Sequence, residues 1–442
     1  MNMIPEVYVC LPGLYSFMEH YAIGTLENYF SRKKFISFVF VIFTPKFYEV
    51  NDLNHHPLPE SVKDLIIVRS KPIPPFMVVR YQQVTKKEDM KLIEIFQKWT
   101  SLQPLNEDEK RKLSMRFTVE YNYNSNHLEG NTLTYGQTEL LLLFGKVSGE
   151  GHLKDFNDMK ASEVSVKMME EEAANKQVPL TQNFIRTLHQ TLIREDYTEY
   201  RTLPNGVQTS YVIHAGQYKT RPNSVITRYG DRFEYASPQE TPALMADLVG
   251  WYNEEEQKGN LSPVELAALF HYRYIRIHPF EDGNGRIARL MVNYILSRHG
   301  WPMIVVRSRF KQEYLDALHQ TDLVVGTDPS DGAHANIKQI DKFLKYFENL
   351  VAKEIQTDID FVSRKSEDVW WYDGEIISTR SKNTVRILRL MRENPSITYA
   401  KLTSMLGTNT SAVQKLIKRM VEKGYITRHD NGLWRVIATS IV

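Results

Sequence analysis

The chain has 442 residues, 42% of them apolar and 24% charged, with a formal net charge of +2. That length exceeds what one hydrophobic core usually fills and argues for two or more domains. The near-neutral total excludes nucleic-acid or membrane binding by bulk charge and leaves only local basic surfaces. A single cysteine, Cys10, excludes an internal disulfide and fits a reducing compartment, so a cytoplasmic protein is expected.

In chain order, residues 1–76 form an N-terminal segment without an assigned role, ending in Pro72, Pro74 and Pro75. Its apolar run at 35–43 is about half the ~20 residues a spanning helix needs, and its aromatic and β-branched content predicts a buried strand. Residues 77–350 are mainly helical. Thr181 caps a helix with Phe184, Leu188 and Leu192 on one face, and Ser262-Pro263-Val264-Glu265 starts another. A further helix opens near Arg286 and stops at Gly300, before Trp301-Pro302. Between them, aromatic and β-branched residues around Gly230-Asp231 predict a β-hairpin at about 224–233. Residues 351–380 read as mixed helix and linker with an unassigned Trp370-Trp371-Tyr372 cluster. Residues 381–442 read as three helices and a short hairpin turning at Asp430-Asn431-Gly432. His55-His56 reads as a loop pair rather than a metal site, because no further ligand completes a spacing.

The segment that carries chemistry is His278-Pro279-Phe280-Glu281-Asp282-Gly283-Asn284-Gly285-Arg286-Ile287-Ala288-Arg289. It is a loop between two helices. Gly283 and Gly285 free the backbone to present consecutive N–H groups at a helix N-terminus, a ready anion site. Arg286 and Arg289, three apart, share a helix face and can grip further phosphate oxygens. Asp282 is a hard oxygen ligand suited to Mg²⁺, which joins one or two carboxylates to substrate phosphates. His278 can accept a hydroxyl proton near neutrality, and Phe280 is an apolar anchor for the loop.

These positions resemble the Fic (Fido) family, whose pattern is His, any residue, Phe, any residue, Asp or Glu, Gly-Asn-Gly-Arg, two residues, Arg; residues 278–289 satisfy it throughout. The likeness extends over about residues 110–340, including Gly216-Gln217-Tyr218 and Tyr314-Leu315-Asp316-Ala317-Leu318. It implies a mainly α fold: a Fic-type helical bundle with a β-hairpin flap, then a small α+β winged-helix domain. It also implies protein adenylyltransferase activity, moving AMP from ATP to a Ser, Thr or Tyr hydroxyl. His278 would be the base, Asp282 the Mg²⁺ ligand, and Gly283, Asn284, Gly285, Arg286 and Arg289 the phosphate grip. Tyr314 would border the adenine, and the 224–233 hairpin would hold the target segment. Ser125-Asn126-His127-Leu128-Glu129-Gly130 is similar to the family's inhibitory pattern, placing Glu129 on Arg289 as a brake carried by a helix near 115–130. Members of this arrangement are often dimers, so a homodimer is among the expectations.

Residues 381–437 resemble a winged helix-turn-helix and hold eleven lysines and arginines against three acidic residues. Its third helix exposes Thr410, Ser411, Gln414, Lys415, Lys418 and Arg419, residue types that suit base edges and phosphates. The wing adds Arg428, His429 and Arg435, and DNA is therefore a candidate partner. Two alternatives remain open from the sequence. One is a Fic enzyme using another nucleotide or removing AMP. The other is a DNA-binding regulator whose Fic domain senses nucleotide.

Overall fold

The computed structural model describes residues 7–8, 39–40, 87–147, 149–202, 206–226, 232–363, 369–377, 382–428 and 432–439. The chain divides into two units, residues 1–90 with 258–262, and residues 91–257 with 263–442. In the first, β1 (Val7–Tyr8) pairs in parallel with β2 (Val39–Phe40), so the 35–43 run does contribute strand. Cys10, His55-His56 and the proline cluster lie outside the described residues.

The larger unit is a helical bundle. It comprises α1 (Lys87–Ser101) from Lys91 onward, α2 (Glu107–Leu128), α3 (Tyr135–Phe144), α4 (Leu153–Ala174) and α5 (Gln182–Ile193). After two hairpins come α6 (Thr241–Lys258), α7 (Pro263–Ile277), α8 (Asn284–Arg298), α9 (Lys311–Val325), α10 (Pro329–Ala333) and α11 (Asp341–Ser363). The starts are coded locally. Asn106 and Glu109 close a reciprocal capping box on α2, and Thr181 Oγ1 accepts the Phe184 N–H, each cap contributing about 1 kcal/mol.

The core sits between α7 and α8. Leu266, Phe270, Tyr274 and Ile277 face Ile287, Leu290, Met291 and Ile295, all buried. α8 is buried on nearly every side, the signature of a central helix. It opens at Asn284, two residues before the expected Arg286, because Gly283 at φ 76° takes the N-cap. Phe96 of α1 stacks on Trp301 just beyond α8.

The expected flap is present as β5 (Ser224–Ile226) paired with β6 (Arg232–Glu234); its Gly230-Asp231 turn lies outside the described residues. A second hairpin, β3 (Tyr197–Thr202) with β4 (Gln208–Ile213), was not anticipated, although Asn205-Gly206 between two β-branched, aromatic runs is a hairpin signal. Within the 351–380 segment, residues 351–363 complete α11, since Val351, Ile355 and Val362 keep its apolar stripe buried. Trp371–Tyr372 (β7) and Glu375–Ile376 (β8) then form a tight hairpin.

That hairpin belongs to the C-terminal module. Trp370 and Ile377 join one core with Leu388, Met391, Leu402, Val413, Ile417 and Met420. These come from α12 (Lys382–Glu393), α13 (Tyr399–Leu406) and α14 (Thr410–Glu422), and β9 (Ile426–Arg428) and β10 (Trp434–Val436) form the wing. Among the described residues no helix is long and apolar enough to cross a membrane.

Candidate active site

The loop between α7 and α8 is held from four sides. His278 donates its N–H to the Tyr274 carbonyl at 2.9 Å and then turns the chain out of the helix at φ 52°, a conformation that a non-glycine residue adopts only when its surroundings compel it. Phe280 is fully buried and stacks on His189 at 3.7 Å, while Asn284 accepts the Phe280 N–H and donates to the Phe280 carbonyl. The Asn284 side chain therefore braces the loop, leaving its backbone for the first turn of α8. His189 accepts the Gly216 N–H at Nδ1, so its Nε2 carries the proton shared with the Asp282 carbonyl at 3.0 Å.

Lys219 is one residue the sequence reading missed. It is 3% exposed, and its Nζ donates to the carbonyls of Ile277 and His278 at 3.0 and 2.9 Å and to Asn223 Oδ1 at 2.8 Å. Its N–H donates to the Pro279 carbonyl, and Asn223 donates to the carbonyls of His278 and Phe280. Burial pushes the Lys219 ammonium down to about 7. Above the loop, the Tyr235 ring stacks on His278 at 3.9 Å. Burial, reinforced by the Lys219 charge, pushes the His278 imidazole down to about 3, so it is neutral at physiological pH.

Asp282 accepts the Tyr197 hydroxyl at 2.8 Å and pairs with Arg286 at 3.1 Å. Burial raises its carboxyl, but Arg286 and the Tyr197 hydrogen bond outweigh that and hold it below its ordinary value. Tyr197 comes from β3, so the unanticipated hairpin supplies a partner to the predicted metal ligand. Asp282, Arg286, Glu129, Lys154 and Asp158 line one polar cleft of about 140 Å³. Among the described residues no cluster of three or more metal-ligating side chains exists. Asp282, with Asp158 in the same cleft, fits an ion that completes its shell from nucleotide phosphates and water.

Ser125 and Glu129 meet Arg289 as the resemblance implies. Arg289 is 3% exposed and donates to Glu129 Oε1 at 2.6 Å, to Ser125 Oγ at 3.1 Å and to the Ser125 carbonyl at 2.9 Å. Burial raises the Glu129 carboxyl, and the Arg289 guanidinium overrides it, with a net lowering. Glu129 is also the C-cap of α2, Gly130 follows at φ 97°, and Lys311 Nζ donates to the Leu128 carbonyl. Glu129 thus both ends α2 and pairs with Arg289. Tyr314 is buried with its hydroxyl 2.9 Å from His271 Nε2; it lies outside the lining of the cleft.

In the C-terminal module, Thr410, Ser411, Gln414, Lys415, Lys418 and Arg419 are exposed on α14, as the sequence implies. Arg435 is not part of that surface. Strand alternation turns it inward, where it pairs with Glu139 of α3 at 2.8 Å. His429 lies outside the described residues, and Arg428 is exposed.

Comparison with known proteins agrees with this geometry. The Fic/DOC family matches residues 179–296, and a family described as winged helix-turn-helix DNA-binding matches residues 380–427. A crystal structure of a Fic domain containing signaling protein from Bacteroides thetaiotaomicron is 51% identical, with 61% of this chain and 96% of that one covered and a TM-score of 0.57. Fic-1 (residues 134–508) from Caenorhabditis elegans shares the fold, at 23% identity, 63% and 74% coverage and a TM-score of 0.50. Protein adenylyltransferase fic-1 of the same organism is 30% identical over 46% of this chain and 36% of its own length. Protein adenylyltransferase Fic of Nematostella vectensis is 27% identical over 45% and 42%. The chain thus spans about two fifths of the length of the curated relatives it matches. With the loop, its flanking helices and the matched domain in agreement, the chain belongs to the Fic/DOC family and carries a winged-helix domain after the Fic domain.

Proposed function

We propose that the protein is an adenylyltransferase that moves AMP from ATP to a hydroxyl of a target protein, held in check by Glu129. The observation that carries this reading is the contact of Glu129 and Ser125 with Arg289, directly beside the N-terminus of α8. A cleft of about 140 Å³ is small for a nucleoside triphosphate, since ligand pockets commonly enclose roughly 300–1,000 Å³. Arg289 cannot both hold Glu129 and grip a terminal phosphate.

With Glu129 withdrawn, the first-turn N–H groups of α8 and Arg286 face the phosphates. Neutral His278, fixed by Lys219 and Phe280, takes the proton of the attacking hydroxyl. The hydroxyl oxygen bonds to the α-phosphorus, and the bond to the bridging oxygen breaks, releasing pyrophosphate. Asp282 would hold Mg²⁺, which when bound neutralises phosphate charge. Positioning and fixed charge do most of the work in such transfers.

The test follows label from α-labelled ATP onto protein with wild type, Glu129→Gly and His278→Ala. Because charge-assisted hydrogen bonds contribute about 1.5–3 kcal/mol, releasing Arg289 should raise transfer roughly ten- to hundred-fold. His278→Ala should abolish it. Absence of label in every folded variant, with cell lysate supplied as target, rejects the reading.

A second reading concerns the winged helix. We infer that it binds duplex DNA, because the polar face of α14 remains exposed while the module packs through its other side. Failure to retard duplex DNA at low ionic strength, where phosphate contacts are strongest, rejects this.

A further inference from the structure

The winged-helix module is packed against the helix that carries the brake. Asn124 of α2, adjacent to Ser125, donates to Asp373 Oδ1 at 2.7 Å, and the Gly374 N–H donates to Glu120 Oε1 at 2.8 Å. Asp373 and Gly374 form the β7–β8 turn, whose φ angles are 45° and 72°. Beneath them Arg307, 1% exposed, bonds to Glu120 at 2.8 Å, Asp373 at 3.1 Å and Glu354 of α11 at 2.6 Å. A Cβ at 374 would run into that guanidinium. One buried cation therefore joins the brake helix, α11 and the turn of the module, and losing any acid would leave it under-paired in the core.

An apolar seam lies alongside. Val119 of α2, Tyr135 of α3 and Ile437 form one cluster, and the Tyr135 and Tyr372 rings are 4.7 Å apart. Gly136 lies so close to Ile437 that a Cβ there would stand 2.9 Å from its Cδ1. Arg435 with Glu139 closes the seam. The module thus spends its inner face on α2 and α3 while the outer face of α14 stays open.

We propose that the winged-helix module is a clamp on the brake: its docking keeps α2 in the position that sets Ser125 and Glu129 on Arg289, and undocking frees Arg289 for nucleotide. This rests on reading Glu129 as an inhibitor of AMP transfer. At the site end α2 is held by Arg289 and Lys311; one to three turns back, Asp358, Arg307 and Ser308 of the bundle hold it together with Asp373 and Gly374 of the module, so the module completes that set of anchors. A partner that pulls the module off its seat raises activity without touching the cleft.

The test uses the full chain. Ile437→Asp sets a carboxylate against Val119 and Tyr135; Gly136→Ala, a gentler wedge in a helix, serves if that variant does not fold. Hydrogen exchange over residues 116–129, affinity for ATP and label transfer are followed in the Glu129 and Glu129→Gly backgrounds. Exchange should quicken, and ATP affinity and transfer should rise about tenfold, a size typical of coupled sites, only where Glu129 is present. Unchanged exchange over 116–129, or an equal rise in both backgrounds, overturns the clamp. If Glu129→Gly alone transfers no label, the AMP-transfer reading fails, while exchange and ATP affinity still decide the clamp.

Discussion

Glu129 occupies the space that a side chain at position 285 would need: a Cβ on Gly285 would run into Glu129 Oε1 and stand 3.0 Å from Arg289 Nη1. The glycine at the second position of α8 is therefore required by the contact between Glu129 and Arg289. Glycine inside a helix normally costs about 1 kcal/mol relative to alanine. Gly285→Ala should lower the unfolding temperature in the Glu129 protein, and that penalty should vanish or reverse in Glu129→Gly. Thermal unfolding of the four proteins forms a double-mutant cycle; equal effects in both backgrounds would separate the two residues.

Lys219 holds the carbonyls on either side of the step from α7 into the His278 turn, and its charge lowers the basicity of His278. Lys219→Met in the Glu129→Gly protein should cut the turnover number by about tenfold or more, as small misplacements of a reacting group do. ATP affinity should be little changed, and the His278 pKa should rise. Lys219→Arg should recover part of the rate. Histidine NMR titration with steady-state kinetics checks this, and an unmoved His278 pKa would confine Lys219 to a scaffold role.

Acid should weaken the fold through two other histidines. Burial pushes His189 down to about 4 and His271 down to about 3. Both are neutral in the folded chain, whereas in the unfolded chain they bind protons below about 6.5. Their contribution is thus complete above pH 6.5 and is lost as pH falls toward 4 and then 3, on the order of 3 kcal/mol for His189. Denaturant midpoints between pH 7.5 and 4 should fall accordingly. His189→Gln should be less stable at pH 7.5 and show a flatter profile.

The two arginine-bearing faces of the winged helix should behave differently toward DNA. Lys415→Ala should weaken duplex binding uniformly across sequences and reduce the salt slope by about one unit. Arg435→Ala should leave the slope unchanged, because Arg435 is engaged with Glu139. Filter binding across a salt series distinguishes them.

Much of the site was legible because it is contiguous. Residues 278–289 run through one loop and one helix start, so spacing alone put Asp282, the glycines and both arginines together. The cap at Thr181 and the helix start at Pro263 were legible for the same reason, being signals within four residues of the helix they begin. Partners brought by tertiary folding were not. Tyr197 reaches Asp282 across 85 residues and Lys219 reaches the His278 carbonyl across 59, and a lysine among polar neighbours such as Thr220 and Arg221 carries no mark of burial. Trp370, Trp371 and Tyr372 were visible as a cluster, but their role depends on helices that follow them. Arg435 was misplaced because a count of basic residues does not say which face of a strand each occupies.

The seat of Arg307 bears on how such a protein can be inherited. Two of its acids, Glu120 and Glu354, come from the Fic bundle, and the third, Asp373, comes from the hairpin that opens the winged-helix core. Gene fusion or exchange of the C-terminal module at the obvious border near residue 364 would strand a cation and bare Tyr135 to water. The two domains can be traded only with the hairpin and its binding surface on α2 and α3, so they should change together along a lineage rather than as interchangeable cassettes.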